Sequence, residues 1–179
     1  MRISTQKQVA MRYFVAGINK LPAITMNQHL DFYSSHRQFY LCDSTTPFDT
    51  DSETFWTEEA DKRRLAIGTN ILGIATASYG HVQCDIQIIE KRNDNYKADD
   101  YDHIVECPLK VPSGVLQIFS CLDPTSEFEM TVSPGVYGVR IYSKNLATVI
   151  DEDGDDSYLV EIWPTEALEC RVLRQYNCR

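Results

Sequence analysis

Carboxylates are the side chains with the clearest chemical potential in this sequence, and they are clustered. Asp151, Glu152, Asp153, Asp155 and Asp156 place five acids in six positions around Gly154, between apolar runs at 137–142 and 158–163. Such a concentration can chelate a cation, share a proton in acid–base catalysis, or meet a basic protein. A calcium loop aligned from Asp151 needs glycine at its sharp turn and glutamate as its last, bidentate ligand. The chain has Asp156 and Ile162 at those positions. That leaves weak cation binding, a solvated hairpin loop, or a docking epitope.

Two further acidic patches occur. Residues 43–61 hold seven acids and no base, and 94–106 hold five acids against Lys97. A carboxylate dyad works in catalysis when one partner sits in apolar surroundings that raise its pKa. Both patches read as exposed, so no dyad is expected. The four histidines (His29, His36, His81, His103) show no i, i+4 pairing, and none of the six cysteines forms C-x-x-C. Zinc spacing is therefore missing. Nucleophile-elbow, phosphate-loop and dinucleotide-fingerprint motifs are likewise not found. The expectation is no catalytic residue, no metal and no cofactor.

Charge narrows the partners. The 179 residues carry 17 basic and 26 acidic side chains, a net charge of −9. Residues 1–27 hold four bases and no acid, which leaves 13 bases and 26 acids, a net −13, for 28–179. Nucleic-acid binding needs a positive footprint to displace counterions, so direct nucleic-acid binding is disfavoured. No stretch approaches the ~18 apolar residues of a membrane-spanning helix. The first residues lack the pattern of an export signal, and a cytoplasmic location is expected. Cysteines in that setting read as free, mostly buried thiols, with Cys170 and Cys178 able to pair under oxidising conditions.

The elements that must position these groups are strands. In 81–91, Val82, Cys84, Ile86 and Ile88 alternate with Gln83, Asp85 and Gln87, the period of two of a strand with one face on a core. Similar runs lie at 32–42, 67–77, 103–109, 115–121, 127–132, 136–142 and 157–163. Thr57 followed by Glu58 and Glu59, with Lys62 to Arg64 at the other end, predicts one short capped helix near 57–65. Eight or nine short strands with one helix predict an all-β antiparallel sandwich, with a jelly roll as one form of it. Residues 1–27 read as a basic leader or arm, as residues ahead of a start at Met26, or as a short helix or strand laid on the domain, and 28–179 as one sandwich domain. Trp163 is expected in the packed interior. Trp56 reads as an anchor for the helix or as an exposed hot spot.

Several landmarks, in order, carry a family resemblance. They are His36-Arg-Gln-Phe-Tyr-Leu-Cys-Asp43, Phe55-Trp-Thr-Glu-Glu-Ala60, the strand pair within 105–120, Pro134-Gly-Val-Tyr137 leading into a strand, and Asp156-Ser-Tyr-Leu-Val160 running on to Trp163-Pro164. Over 32–164 the chain resembles the competence protein J family, the DNA-entry nuclease inhibitors, and related bacterial immunity-type β-proteins. It departs from them in its basic leader, its acidic loop at 43–54 and its two-cysteine tail. The resemblance implies a non-enzymatic inhibitor that binds a nuclease. Independently, a nuclease cleft is positive because it holds phosphate, and clustered carboxylates suit that field.

The expected contacts are Asp151, Glu152, Asp153, Asp155 and Asp156, with Asp51, Glu53 and Trp56 as a second group. Two alternatives stand beside this reading. One is a non-catalytic interaction module with no nuclease partner. The other is a hydrolase or sugar-binding protein with Tyr33, Phe39, Tyr40 and Tyr142 as a stacking platform.

Overall fold

The computed structural model describes residues 24–47, 50, 53–121, 123 and 125–177. Among these, eleven strands form two sheets packed face to face, a β-sandwich with one short helix. The strands are β1 (Ile24–Ser34), β2 (Gln38–Asp43), β3 (Leu65–Gly68), β4 (Ile71–Ala75), β5 (Gly80–Ile89), β6 (His103–Val111), β7 (Val115–Ser120), β8 (Ser126–Thr131), β9 (Gly135–Lys144), β10 (Ser157–Pro164) and β11 (Arg171–Arg174). The helix α1 is Glu58–Arg63. One sheet has the order β1-β5-β10-β9-β6-β11 and the other β3-β4-β2-β7-β8. Neighbours are antiparallel except β5 and β10, which run parallel.

The alternation in β5 works as the sequence predicts. Val82, Cys84, Ile86 and Ile88 enter the core between the sheets, joined by Val105, Cys107 and Leu109 of β6 and Val139 and Ile141 of β9. Gln83, Asp85 and Gln87 therefore face outward from the six-stranded sheet. β1 begins at Ile24, so residues 24–27 of the expected arm belong to a strand paired with β5. The rest of that arm, 1–23, lies outside the described residues. The run 67–77 divides at Asn70, whose left-handed φ of 60° turns β3 into β4. β11 adds a strand in a tail that carries no clear alternation.

α1 forms as its caps dictate. The Thr57 hydroxyl accepts from the Ala60 N–H at 3.2 Å, which satisfies one free amide of the first turn. Arg64 ends the helix in the left-handed region. Phe55 and Ala60 join Tyr40, Cys42, Ala66, Ile71 and Phe119 in a second, smaller core on the outer face of the five-stranded sheet. Gly73 is required there, because a Cβ would stand 2.8 Å from the Phe55 ring and 2.9 Å from that of Trp56.

The outer face of the six-stranded sheet is also built over, by the segment joining β5 to β6. Its Asn93 carbonyl accepts from Arg140 at 2.6 Å, and its Tyr96 ring lies 4.3 Å from the Arg140 guanidinium carbon. Trp163 is buried on this face, not between the sheets. Its indole lies across Gly138, its cross-strand partner, so closely that a Cβ there would sit 2.3 Å from the ring.

Candidate docking surface

The backbone of the loop joining β9 to β10 is pinned by hydrogen bonds, and most of its acidic side chains are exposed. Asn145 leaves β9 in the left-handed region at φ 60°. The Leu146 N–H then donates to the Asp102 carboxylate at 2.9 Å. Ile150 and Asp153 exchange two backbone hydrogen bonds, at 2.9 and 3.2 Å, which closes a tight turn through Asp151 and Glu152. Gly154 passes so close to Val149 that a Cβ would meet its side chain at 2.5 Å. Two carbonyls of the tip are held by the body of the protein. Arg37 donates to that of Asp151 at 2.9 Å, and the Tyr79 N–H to that of Glu152 at 2.7 Å.

Asp151, Glu152, Asp153 and Asp155 are all exposed on this frame. Among the described residues, none of the four takes part in an ion pair with Lys, Arg or His. Asp156 is different, and the expectation that it is a surface contact is corrected. It is buried, and one carboxylate oxygen accepts from the N–H groups of Ala77 at 3.0 Å and Ser78 at 3.2 Å and from the Tyr158 hydroxyl at 2.5 Å. Burial works to raise its pKa. The Ser78 and Tyr158 side chains and the two amides outweigh burial and hold it below the usual carboxylate range. Asp156 secures the β4–β5 turn to the start of β10.

The sheet register brings a second acidic segment to the same end. His103, which opens β6, pairs with Ser143, and Ser157, which opens β10, pairs with Lys144. The residues leading into β6 therefore lie beside the 145–156 loop. Asp99 and Asp100 are exposed there, and Asp94 is exposed further back over the sheet, beside Arg92. Asp99 is 2.7 Å from Arg174 and Asp94 is 3.5 Å from Arg92. Asp100 rims a concave region of about 750 Å³ on the outer sheet face, lined also by Tyr101, Lys144, Gln83 and the His29–Asp85 pair at 2.8 Å.

Glu53 and Trp56 of the second predicted group do not join this surface. Asp51 lies outside the described residues. Glu53 is exposed, on the segment that covers the five-stranded sheet. Trp56 is half-buried against Phe55, with ring centroids 5.8 Å apart and edge-on. Its packing over Gly73 makes it an anchor for that segment. The stacking platform is not assembled either. Phe39, Tyr40 and Tyr142 are buried, and Tyr33 alone of the four is exposed, at 57%.

Not every residue of the acidic patches is exposed, as the sequence had suggested. Asp43 is buried and accepts from the amide and hydroxyl of Ser113, at 2.8 and 2.6 Å, and from those of Thr45. Glu106 is buried beneath the β5–β6 segment. It accepts from Arg140 through two nitrogens at 3.1 and 2.9 Å, from Arg92 at 3.0 Å and from Arg171 at 2.7 Å. Glu161 lies alongside, accepting from the Tyr142 hydroxyl and from Asn93 at 3.1 Å. Arg140, Tyr142 and Glu161 were not singled out as a unit in the sequence. The only signal was a charge at an outward position of an otherwise apolar strand.

No group of three or more His, Cys, Asp or Glu among the described residues is arranged to hold a metal ion. No helix among them is long and apolar enough to cross a membrane.

No family profile matches the chain, and no curated protein matches it in sequence. Solved structures do match its fold. A chain described as crocagin biosynthetic gene J aligns with a TM-score of 0.50 at 19% identity, over 78% of this chain and 99% of that one. ComJ, the inhibitor of the DNA-degrading activity of NucA from Bacillus subtilis, aligns with a TM-score of 0.60 at 16% identity, over 82% of this chain and 100% of its own. The two-sheet sandwich of this chain is thus the fold of ComJ, matched along the whole of that protein.

Proposed function

We propose that the chain is a non-enzymatic, cytoplasmic binding protein of the nuclease-inhibitor type, which docks its carboxylates into the basic cleft of a nuclease. The observation that carries this reading is the pinned 145–156 loop. Its backbone is fixed by Arg37 and Tyr79, while four exposed carboxylates lack a basic partner among the described residues. Preorganised charge of this kind speeds encounter with a positive surface and loses little entropy on binding. The shared fold with ComJ directs the reading toward a nuclease. In that role Asp100, at the same end of the sheet, extends the negative face, while Asp99 is held by Arg174.

The test is a DNA-protection assay at low salt, with NucA and a panel of other basic nucleases as probes. Survival of plasmid DNA at stoichiometric amounts of this protein supports the reading. Full digestion by every probe, with no complex on a sizing column, refutes it. The same fold in crocagin biosynthetic gene J supports a second reading, a general interaction module. Capture of neutral proteins and no nuclease by tagged protein would select that one.

A further inference from the structure

Cys107 and Cys170 are far apart in sequence and adjacent in the fold. Arg171 pairs with Glu106 across the antiparallel β11–β6 ladder. One step further along that register sets Cys170 opposite Cys107. Residues directly opposed on antiparallel strands have Cα atoms roughly 4.5–5.5 Å apart, within the ~4.4–6.8 Å window a disulfide accepts. The contact is seen independently in the packing, because Cys170 lies against the buried core cluster that contains Cys107. Both are free thiols here, Cys107 buried and Cys170 half-buried.

The two thiols have different surroundings. Cys170 opens into a shallow depression of about 330 Å³, lined by Lys62, Arg63 and Arg171 with Glu59 as the one carboxylate. The Cys107 thiol lowers the pKa of Cys170, burial opposes this, and Arg63 lowers it further. The Cys107 thiol is pushed well up, by Cys170 first and by burial second. Cys170, half-buried and opening into the basic depression, is the thiol a small disulfide can reach and hence the attacking group, and the buried Cys107 is the resolving group.

We propose that Cys107 and Cys170 are a reversible disulfide site, closed by exchange with a small carboxylate-bearing disulfide that enters the basic depression. In the first step the Cys170 thiolate attacks one sulfur of the small disulfide. That S–S bond breaks, and one thiolate leaves and takes up a proton. In the second step Cys107 gives up its proton and attacks the Cys170 sulfur, expelling the second small thiol. The protein loses two hydrogens, and one small disulfide becomes two thiols. The product staples the C-terminal strand to β6, next to the Arg171–Glu106 ion pair.

The experiment treats the folded full chain with oxidised glutathione, alkylates the remaining thiols and maps the peptides by mass. The expected result is a linked peptide pair joining Cys107 to Cys170 as the dominant product, reversed by dithiothreitol. It is lost in Cys170→Ser, a half-buried position at which circular dichroism should show the fold retained. In concentrated urea the same treatment should favour short-loop pairing such as Cys170 with Cys178. Glutathionylated Cys170 without a link to Cys107 in the folded chain overturns the proposal. So does a dominant Cys170–Cys178 link there, or an unmodified Cys170. None of these outcomes depends on nuclease binding.

Discussion

Arg140 grips Glu106 with two guanidinium nitrogens, at 3.1 and 2.9 Å, and neither side chain is exposed to solvent. The pair ties four pieces of chain together: β9, β6, the β5–β6 segment and β11. Arg140 also donates to the Asn93 carbonyl of the β5–β6 segment, and Glu106 accepts from Arg171 of β11. A buried pair of this geometry offsets its own desolvation only while both partners remain. Glu106→Gln removes the two-nitrogen contact and leaves Arg140 with Glu161, 3.6 Å away, as its remaining carboxylate, at a cost of about 3 kcal/mol. Urea denaturation should show a lower midpoint with an unchanged slope.

The same carboxylate sets an acid limit. Burial raises its pKa, but Arg171 and Arg140 together outweigh burial, and the folded value lies below the ordinary one. The unfolded chain then binds the proton more readily. The contribution of Glu106 is fully present above the unfolded value, about 4.3, and is lost as pH falls through the lower folded value. Wild-type urea midpoints should decline with pH below about 4. The slope should be shallower in Glu106→Gln, which has no carboxylate to protonate.

Asp156 and Asp153 are three residues apart and should behave as opposites. Asp156 takes two buried amides and a hydroxyl on one oxygen, whereas Asp153 is exposed. Asp156→Asn replaces a charge-assisted acceptor and should cost about 1–3 kcal/mol. Asp153→Asn should stay within about 0.5 kcal/mol of wild type. Thermal melts of the two single variants make the comparison. Equal losses would show that the 151–156 cluster is structural throughout.

His103 joins the helix to the tail. Its Nε2 donates to the Arg63 carbonyl at 2.9 Å, and its Nδ1 accepts from the Tyr176 N–H at 3.2 Å. The Nδ1 bond needs the neutral ring, because a protonated Nδ1 donates and cannot accept, whereas the Nε2 bond is made in either state. Burial lowers its pKa, the Arg63 carbonyl works to raise it, and Arg64 lowers it again, for a net depression. The unfolded ring, at about 6.5, takes up a proton first. Stability from His103 is therefore complete above that value and declines as pH falls through it toward the folded pKa. The protection of the Tyr176 amide, measured against the exchange rate of an unstructured peptide at the same pH, should fall below about pH 6.5, and His103→Gln should remove that pH dependence.

The sandwich was legible because its core strands alternate. Val82, Cys84, Ile86 and Ile88 identify their own face, and Thr57 marks where the helix begins. The single run expected at 32–42 is two strands, because the chain turns at Ser35–Arg37 with His36 and Arg37 in the left-handed region, and the first half of β1, Ile24 to His29, carries no apolar stripe because it is mostly polar and largely exposed. β11 was missed because a short edge strand needs no apolar stripe. The buried network was illegible for a physical reason. Charge in a sequence reads as solvent exposure, and only the fold reveals that Glu106, Arg140 and Glu161 satisfy one another beneath Tyr96 and Asn93. Composition could not separate Asp156 from its four neighbours either. Its partners, Ala77 and Ser78, are nearly 80 positions away in the chain.

The docking proposal makes its sharpest demand on the four exposed acids taken together. Replacing Asp151, Glu152, Asp153 and Asp155 with their amides keeps shape and removes four charges. The backbone contacts from Arg37 and Tyr79 go to carbonyls, so they survive the change. The melting temperature should therefore hold. Exposed charges act over a Debye length of about 10 Å at 0.1 M salt. Their removal should act mainly on association, slowing it roughly tenfold or more at low salt while leaving dissociation nearly unchanged. Wild-type association should fall steeply as salt rises, and the two proteins should converge near 1 M, where screening reaches about 3 Å. Stopped-flow binding to a captured nuclease across a salt series measures both slopes. Parallel slopes for variant and wild type would mean that the partner is met by some other surface, whatever the fold shares with ComJ.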